Sequence, residues 1–309
     1  MLSRIAESLF WIGRYTERAD GTARIVDVLR LLLLEDPTAE ESQASHTVLS
    51  VIMGMPHEGE VSFADVGAAL VFDQQNPSAI SGAWHAAREN ARRAREVLST
   101  ELWEGINTTW HRWGGFTRTN VTERHLSWVR ERAALVSGIA DSTMSHDEAW
   151  DFLVLGRSLE RADMTARLVA TGGHPSGGAP WPVVLSSCGA QQAFMRSERG
   201  RLSDDRVAAF LVLDRHFPRS VISALSEAQR RLETLSPTAS AGRIGVSDEA
   251  QRQLGRVSTA LEYSETRDII ADLPNHMRQV QRAVNGASAA IASRYFQSGS
   301  FMTWTEELV

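Results

Sequence analysis

The chain has 309 residues, of which 43% are hydrophobic and 23% charged, an ordinary composition for a folded globular protein. Its 38 acidic side chains outnumber 32 basic ones for a net charge of −6, which argues against a nucleic-acid binder, whose contact surface carries a basic excess. A single cysteine, Cys188, excludes an internal disulfide framework and points to a reducing compartment.

From the N-terminus, Leu2, Ile5, Leu9, Ile12, Thr16, Ala19, Ala23 and Val26 recur at alternating spacings of three and four, the period of one helical stripe. No proline intervenes before Pro37, so one helix is predicted from near Ser3 to about Leu34. Arg4 and Glu7 break the apolar pattern of a secretory leader, and the run Leu31 to Leu34 is far too short to span a bilayer. A cytoplasmic protein without membrane association is expected. A second line, Phe10, Gly13, Glu17, Asp20, Arg24 and Asp27, stacks on the flank of the first.

The stretch Gly13-Arg14-Tyr15-Thr16-Glu17-Arg18-Ala19-Asp20-Gly21-Thr22-Ala23-Arg24 returns 143 residues later as Gly156-Arg157-Ser158-Leu159-Glu160-Arg161-Ala162-Asp163-Met164-Thr165-Ala166-Arg167, with nine of twelve positions identical. Such a repeat sets the architecture before any other feature. Glycine inside a helix costs about 1 kcal/mol against alanine, so Gly13 and Gly156 imply close approach of another backbone. The two copies are therefore expected to sit against each other or against equivalent helices, with the charged flanks partly enclosed. Arg14, Glu17, Arg18, Asp20 and Arg24, with Arg157, Glu160, Arg161, Asp163 and Arg167, form a candidate polar seam. Two readings stand side by side: structural ion pairing, and a polar site that binds something.

Further along, Thr38 to Glu41 fits a capping box for a helix holding Val48, Leu49 and Ile52, and Met55 to Gly59 reads as a turn. Ser62 caps a short helix through Phe72, and Pro77 restarts helix carrying Trp84, Ala87, Ala91, Ala94 and Leu98. That helix is dense in polar groups, of which Arg88, Glu89, Asn90 and Arg92 join the candidate seam; they and the counterpart residues Arg219, Gln229, Arg230 and Arg231 are read as an anion clamp or as partners for Glu17, Asp20, Glu160 and Asp163. The repeat extends here: Ser62, Val66, Leu70, Asp73, Pro77 and Ala83 match Ser203, Val207, Leu211, Asp214, Pro218 and Ala224 at an offset of 141. An ancient duplication follows, with 1–140 as the first helical unit and 141–309 as the second, packed as one helical body. Residues 101–135 bring Trp103, Trp110, Trp113, Phe116 and Trp128, rings expected to fill the core between the units, with an exposed aromatic groove for a ligand or partner as the alternative.

Ser145 to Glu148 is a capping box leading into the second copy of the motif. Thr171 to Pro180 is a glycine-rich loop without the lysine and serine of a phosphate-binding loop. Helices are predicted over Trp181–Ser197, Ser203–Leu213 and Pro218–Leu235, then a soft stretch from Ser236 to Gly245. Long final helices run from Ser247 to about Phe296, with a frayed tail from Gln297. The fold class is all-α: an internally duplicated multi-helix bundle with long antiparallel helices and no sheet.

The paired Glu-x-x-Asp lacks the histidines of a di-iron bundle, the nine histidines are scattered, and Cys188 sits in an apolar-to-small segment as an inert thiol. No metal, no cofactor and no catalytic residue is assigned. Met1-Leu2-Ser3-Arg4-Ile5-Ala6-Glu7-Ser8-Leu9-Phe10-Trp11-Ile12-Gly13-Arg14-Tyr15-Thr16-Glu17-Arg18-Ala19, together with Asn76-Pro77-Ser78, Ala87 to Arg92 and Gly156 to Asp163, resembles the bacterial alpha-E family, an all-helical domain of unknown function. Members typically carry Glu-Asn after the first Glu-Arg-Ala, where Asp20-Gly21 stands here. The resemblance implies association with a circularly permuted ATP-grasp ligase and a transglutaminase-like protein, hence an accessory partner, with a peptide as ligand, in a peptide-forming or peptide-modifying system. The alternative is an enzyme acting on amide or carboxylate substrates through Glu17, Glu89 and Glu160 with arginine clamps, in a cleft between the repeats.

Overall fold

A computed structural model describes residues 1–36, 38–54, 59–116, 120–172, 179–197, 203–236 and 248–296. The predicted turn at Met55 to Gly59 apart from Gly59 itself, the centre of the glycine-rich loop, most of the soft stretch after Ser236 and the tail from Gln297 lie outside the described residues.

Helix α1 (Ser3–Glu35) carries the first motif and buries most of its length. Helix α2 (Glu41–Met53) starts without a side-chain cap. The box expected at Thr38 does not form because Thr38 donates both its N–H and its hydroxyl to Asp36, at 2.9 and 2.6 Å. Helix α3 (Phe63–Gly67) opens on the predicted Ser62 cap, answered by Asp65, and widens into a π-helical turn over Ala68–Phe72. Helix α4 (Ile80–Arg93) begins later than Pro77 because Asn76 holds a turn, donating to the Ala69 carbonyl and accepting from the Ser78 N–H. Helices α5 (Thr100–Trp113) and α6 (Glu123–Thr143) complete the first half.

The second half opens with α7 (Glu148–Thr171), capped by Asp147, whose carboxylate accepts from the Ala149 N–H. The helix expected over Trp181–Ser197 is two, α8 (Trp181–Ser187) and α9 (Gln191–Ser197), since Gly189 takes φ of 63° between them. Then come α10 (Asp204–Leu213), α11 (Val221–Leu235), α12 (Glu249–Tyr263), α13 (Thr266–Ala271) and α14 (Leu273–Tyr295). Among the described residues no strand occurs; Gly172 and Ala179 form an isolated bridge.

The same packing occurs twice. Helix α1 lies against α4 and α6, which α5 joins; α7 lies against α11 and α14, which α12 joins. Neighbours within each set run antiparallel: near one end of the α1–α4 pair Thr22 donates to the Ser78 carbonyl, and at the other Glu7 lies beside Arg93. The two sets meet through α1 and α7, which run parallel. Gly13 faces Leu153 and Arg157, Glu17 meets Arg161, and Gly21 faces Met164. A Cβ on Gly13 would stand 2.0 Å from the Leu153 carbonyl oxygen, and one on Gly156 would stand 2.0 Å from that of Phe10. Only glycine lets these backbones touch.

The tryptophan-rich stretch does not lie between the sets. Trp113, Phe116 and Trp128 cluster with Phe72 and His125 inside the first set, because α5 and α6 pack on α4 and α1. Trp103 and Trp110 stay half-buried on α5.

Candidate functional site

Close approach at the two glycines brings the repeated charges of α1 and α7 within reach of one another. Glu160 is 2% exposed and accepts from Arg14 Nε at 2.6 Å, Arg18 Nε at 2.5 Å and Arg18 Nη2 at 3.0 Å. Arg14 also donates to Ser288 Oγ on α14, at 3.0 Å. At the equivalent place in the other copy, Glu17 Oε2 lies 2.9 Å from Arg161 Nε, and Glu17 Oε1 lies 2.6 Å from Arg219 Nη1. These two contacts are charge contacts off the hydrogen-bond axis, unlike the three aligned bonds on Glu160.

Each aspartate of the motif is bound by the arginine four residues on, Asp20 by Arg24 and Asp163 by Arg167, both at 2.9 Å. Arg219 bonds Asp20 as well. Arg157 leaves the seam for Asp141 at the end of α6, at 3.2 and 3.3 Å. The ten motif residues therefore surround the α1–α7 contact, with the buried Arg157 bonded to Asp141 while still close enough to help lower the Glu17 carboxyl.

Burial alone pushes the Glu17 carboxyl up; the Arg161 and Arg219 guanidiniums more than reverse this and hold it at about 2. Burial likewise raises the Glu160 carboxyl, and Arg18 and Arg14 bring it below the ordinary carboxylate range. Each glutamate is thus ionised with its oxygens occupied, an arrangement suited to adhesion and poorly suited to proton transfer.

Arg88, Glu89, Asn90 and Arg92 do not join the seam, correcting that expectation. Helix α4 buries Ala83, Ala87 and Ala91 and packs on α1, which places the polar residues toward α5 and solvent. There Arg88 donates to Asn107 Oδ1 at 2.9 Å and to Glu89 at 2.6 Å, Arg92 donates to Glu89 at 3.1 Å, and Asn90 donates to the Ala86 carbonyl. Glu89 accordingly shares no cleft with Glu17 and Glu160.

Arg219, open in the sequence to a clamp role or to pairing across the bundle, takes the second and joins the seam at Glu17 and Asp20. Thr22 donates to the Ser78 carbonyl at 3.2 Å and Thr165 to the Arg219 carbonyl at 2.8 Å, so Ser78 and Arg219 occupy the same place in the two copies. Only the arginine is long enough to enter the seam. The signal available was the mismatch itself: a serine aligned with an arginine beside a matched proline.

Elsewhere, an apolar cavity of about 260 Å³ lies between α1, α2, α7 and α8, lined by Val28, Leu32, Val48, Val51, Val183 and Val184 among others. Burial raises the Cys188 thiol to about 12, the state of an inert core group. Among the described residues no group of three or more His, Cys, Asp or Glu is placed to hold a metal ion, and no helix is long and apolar enough to cross a membrane.

A family model described as "a predicted alpha-helical domain with a conserved ER motif" matches residues 1–296. Glu17-Arg18 and Glu160-Arg161, at the centre of the seam, are the Glu-Arg pairs inside the repeated stretch. The chain is 24% identical over 305 residues to uncharacterized proteins of Mycobacterium bovis and Mycobacterium tuberculosis, covering 86% of this chain and 33% of each relative. It thus spans about a third of the length of the curated relatives it matches. No solved structure matches. With nearly its whole length matched and the Glu-Arg pairs at the helix crossing, the chain belongs to the Alpha-E family.

Proposed function

We propose that this chain is an interaction module of a peptide-forming or peptide-modifying system, docking a circularly permuted ATP-grasp ligase in the cytoplasm without chemistry of its own. The observation that carries the reading is the fate of the repeated charges: Glu17 and Glu160 are buried and each is bracketed by two arginines of the same chain. The part of the sequence that recurs is thereby used to join two helical units, 1–140 and 141–309, and recognition falls to the outer faces. Relatives three times as long fit a module built into larger proteins. A transglutaminase-like protein is a further candidate partner of the same system.

The test is co-expression with the ATP-grasp ligase of the same genome, followed by affinity capture and light scattering of the eluted species. A stoichiometric complex is expected. Two folded proteins that elute separately at micromolar concentration would overturn the reading.

A further inference from the structure

The duplication supplies an internal control, since positions required only by the scaffold can be compared between halves. Helices α5 and α12 align by their buried residues, Leu102, Ile106 and Trp113 with Ala250, Leu254 and Leu261. Between them, the half-buried Trp103 and Trp110 of α5 correspond to the half-buried Gln251 and the buried Ser258 of α12. On the facing helices, Arg88 and Arg92 of α4 correspond to Gln229 and Glu233 of α11. The second half thus builds the same helix pair with glutamine, serine and glutamate where the first holds tryptophans and guanidiniums. Folding does not demand these groups.

Their arrangement is a stripe along the α4–α5 groove. His85 lies against Trp110 with ring centroids 5.1 Å apart and planes tilted by 55°, Arg88 bonds Asn107, and the Arg95 guanidinium lies 4.9 Å over the Trp103 ring. Both Glu89 oxygens are taken by Arg88 and Arg92, yet the Arg92 side chain remains 61% exposed. A guanidinium over an aromatic face keeps its N–H edge free for a carboxylate, and the half-buried rings accept an apolar side chain. Exposed Glu96, Glu101 and Glu104 border the stripe, so the surface alternates in sign. A uniform polyanion such as nucleic acid would meet repulsion there. A peptide whose few carboxylates fall on Arg92 and Arg95, with apolar residues between them, avoids it.

We infer that the α4–α5 groove docks a carboxylate-bearing peptide segment of a partner protein. This deepens the interaction-module reading and rests on it. The test uses fluorescence anisotropy with a labelled peptide of alternating glutamate and phenylalanine, and with its lysine-phenylalanine counterpart, against the full chain. The glutamate peptide is expected to bind and the lysine peptide not. Arg92→Glu and Trp103→Gln, the latter importing the residue of the second half, should each weaken binding by about tenfold or more. Arg252→Glu on α12 should leave it unchanged. Arg92→Glu guards against a folding artefact, because that side chain is largely in solvent and its thermal transition should match wild type. Absent binding of the glutamate peptide, or wild-type binding by either groove variant, overturns the inference. If the ligase complex forms while these peptide results fail, only the groove is wrong; if the peptide binds at the groove while no ligase complex forms, only the ligase partner is wrong.

Discussion

Replacing Glu17 with glutamine tests the adhesive role of the seam. The substitution keeps the side-chain shape and removes the charge that faces Arg161 and Arg219. In the native protein the Glu17 carboxyl, ordinarily near 4.5, is held at about 2, a displacement corresponding to roughly 3 kcal/mol of stability. Breaking a buried pair by removing one partner costs about 3–5 kcal/mol in general, the same range. Because the folded-state value is depressed, this contribution is fully present above pH 4.5 and is lost as pH falls toward 2. Urea unfolding of wild type and Glu17→Gln at pH 7, 4 and 2.5 should show a gap of about 3 kcal/mol that narrows with acid. Glu160→Gln should cost more at pH 7. After Glu17→Gln the Arg219 guanidinium keeps Asp20, whereas Arg14 keeps only the Ser288 hydroxyl once Glu160 is neutral. Stabilities of wild type and Glu17→Gln within about 0.5 kcal/mol at pH 7 would refute the reasoning, since that is the range of ordinary surface changes.

Glycine substitutions separate contact from helix propensity. Gly13→Ala should destabilise by about 1–3 kcal/mol or more, because its Cβ meets backbone that cannot rotate away. Gly138→Ala, with nothing within 4 Å of the new methyl, should stabilise α6 by up to about 1 kcal/mol, both read by thermal unfolding. Cys188, with its thiol raised to about 12, should resist disulfide-exchange reagents at pH 8 in the native protein and react at once in urea.

Much of this was legible in the sequence. Two glycines within matched helical stripes gave the α1–α7 contact, and identical charge order in both copies gave the seam. Least sharply defined was whatever exists once. Arg219 enters the seam from a turn whose counterpart offers Ser78, and a comparison of repeats rewards only agreement. The placement of Arg88 and Arg92 failed for another reason. Ala83, Ala87 and Ala91 already define which side of α4 meets α1, and the polar residues fall outside that stripe. The break between α8 and α9 turns on one positive φ at Gly189, within a run whose periodicity otherwise continues. The tryptophans were correctly sequestered in part, but chain position between the motifs does not imply spatial position between the halves.

The parallel crossing of α1 and α7 joins surfaces that correspond residue for residue, as Gly13 against Leu153 answers Gly156 against Phe10. Such a contact is isologous, the geometry of a two-fold homodimer contained in one polypeptide. Each half therefore carries a surface complementary to its own kind, and α1 of one molecule is a near-fit for α1 of the next. Covalent linkage favours the internal pairing through effective concentration, which a newly made chain lacks until α7 has been synthesised. In that interval the exposed face of α1 is a route to exchanged dimers, and the length of chain between the two helices sets how long the route stays open.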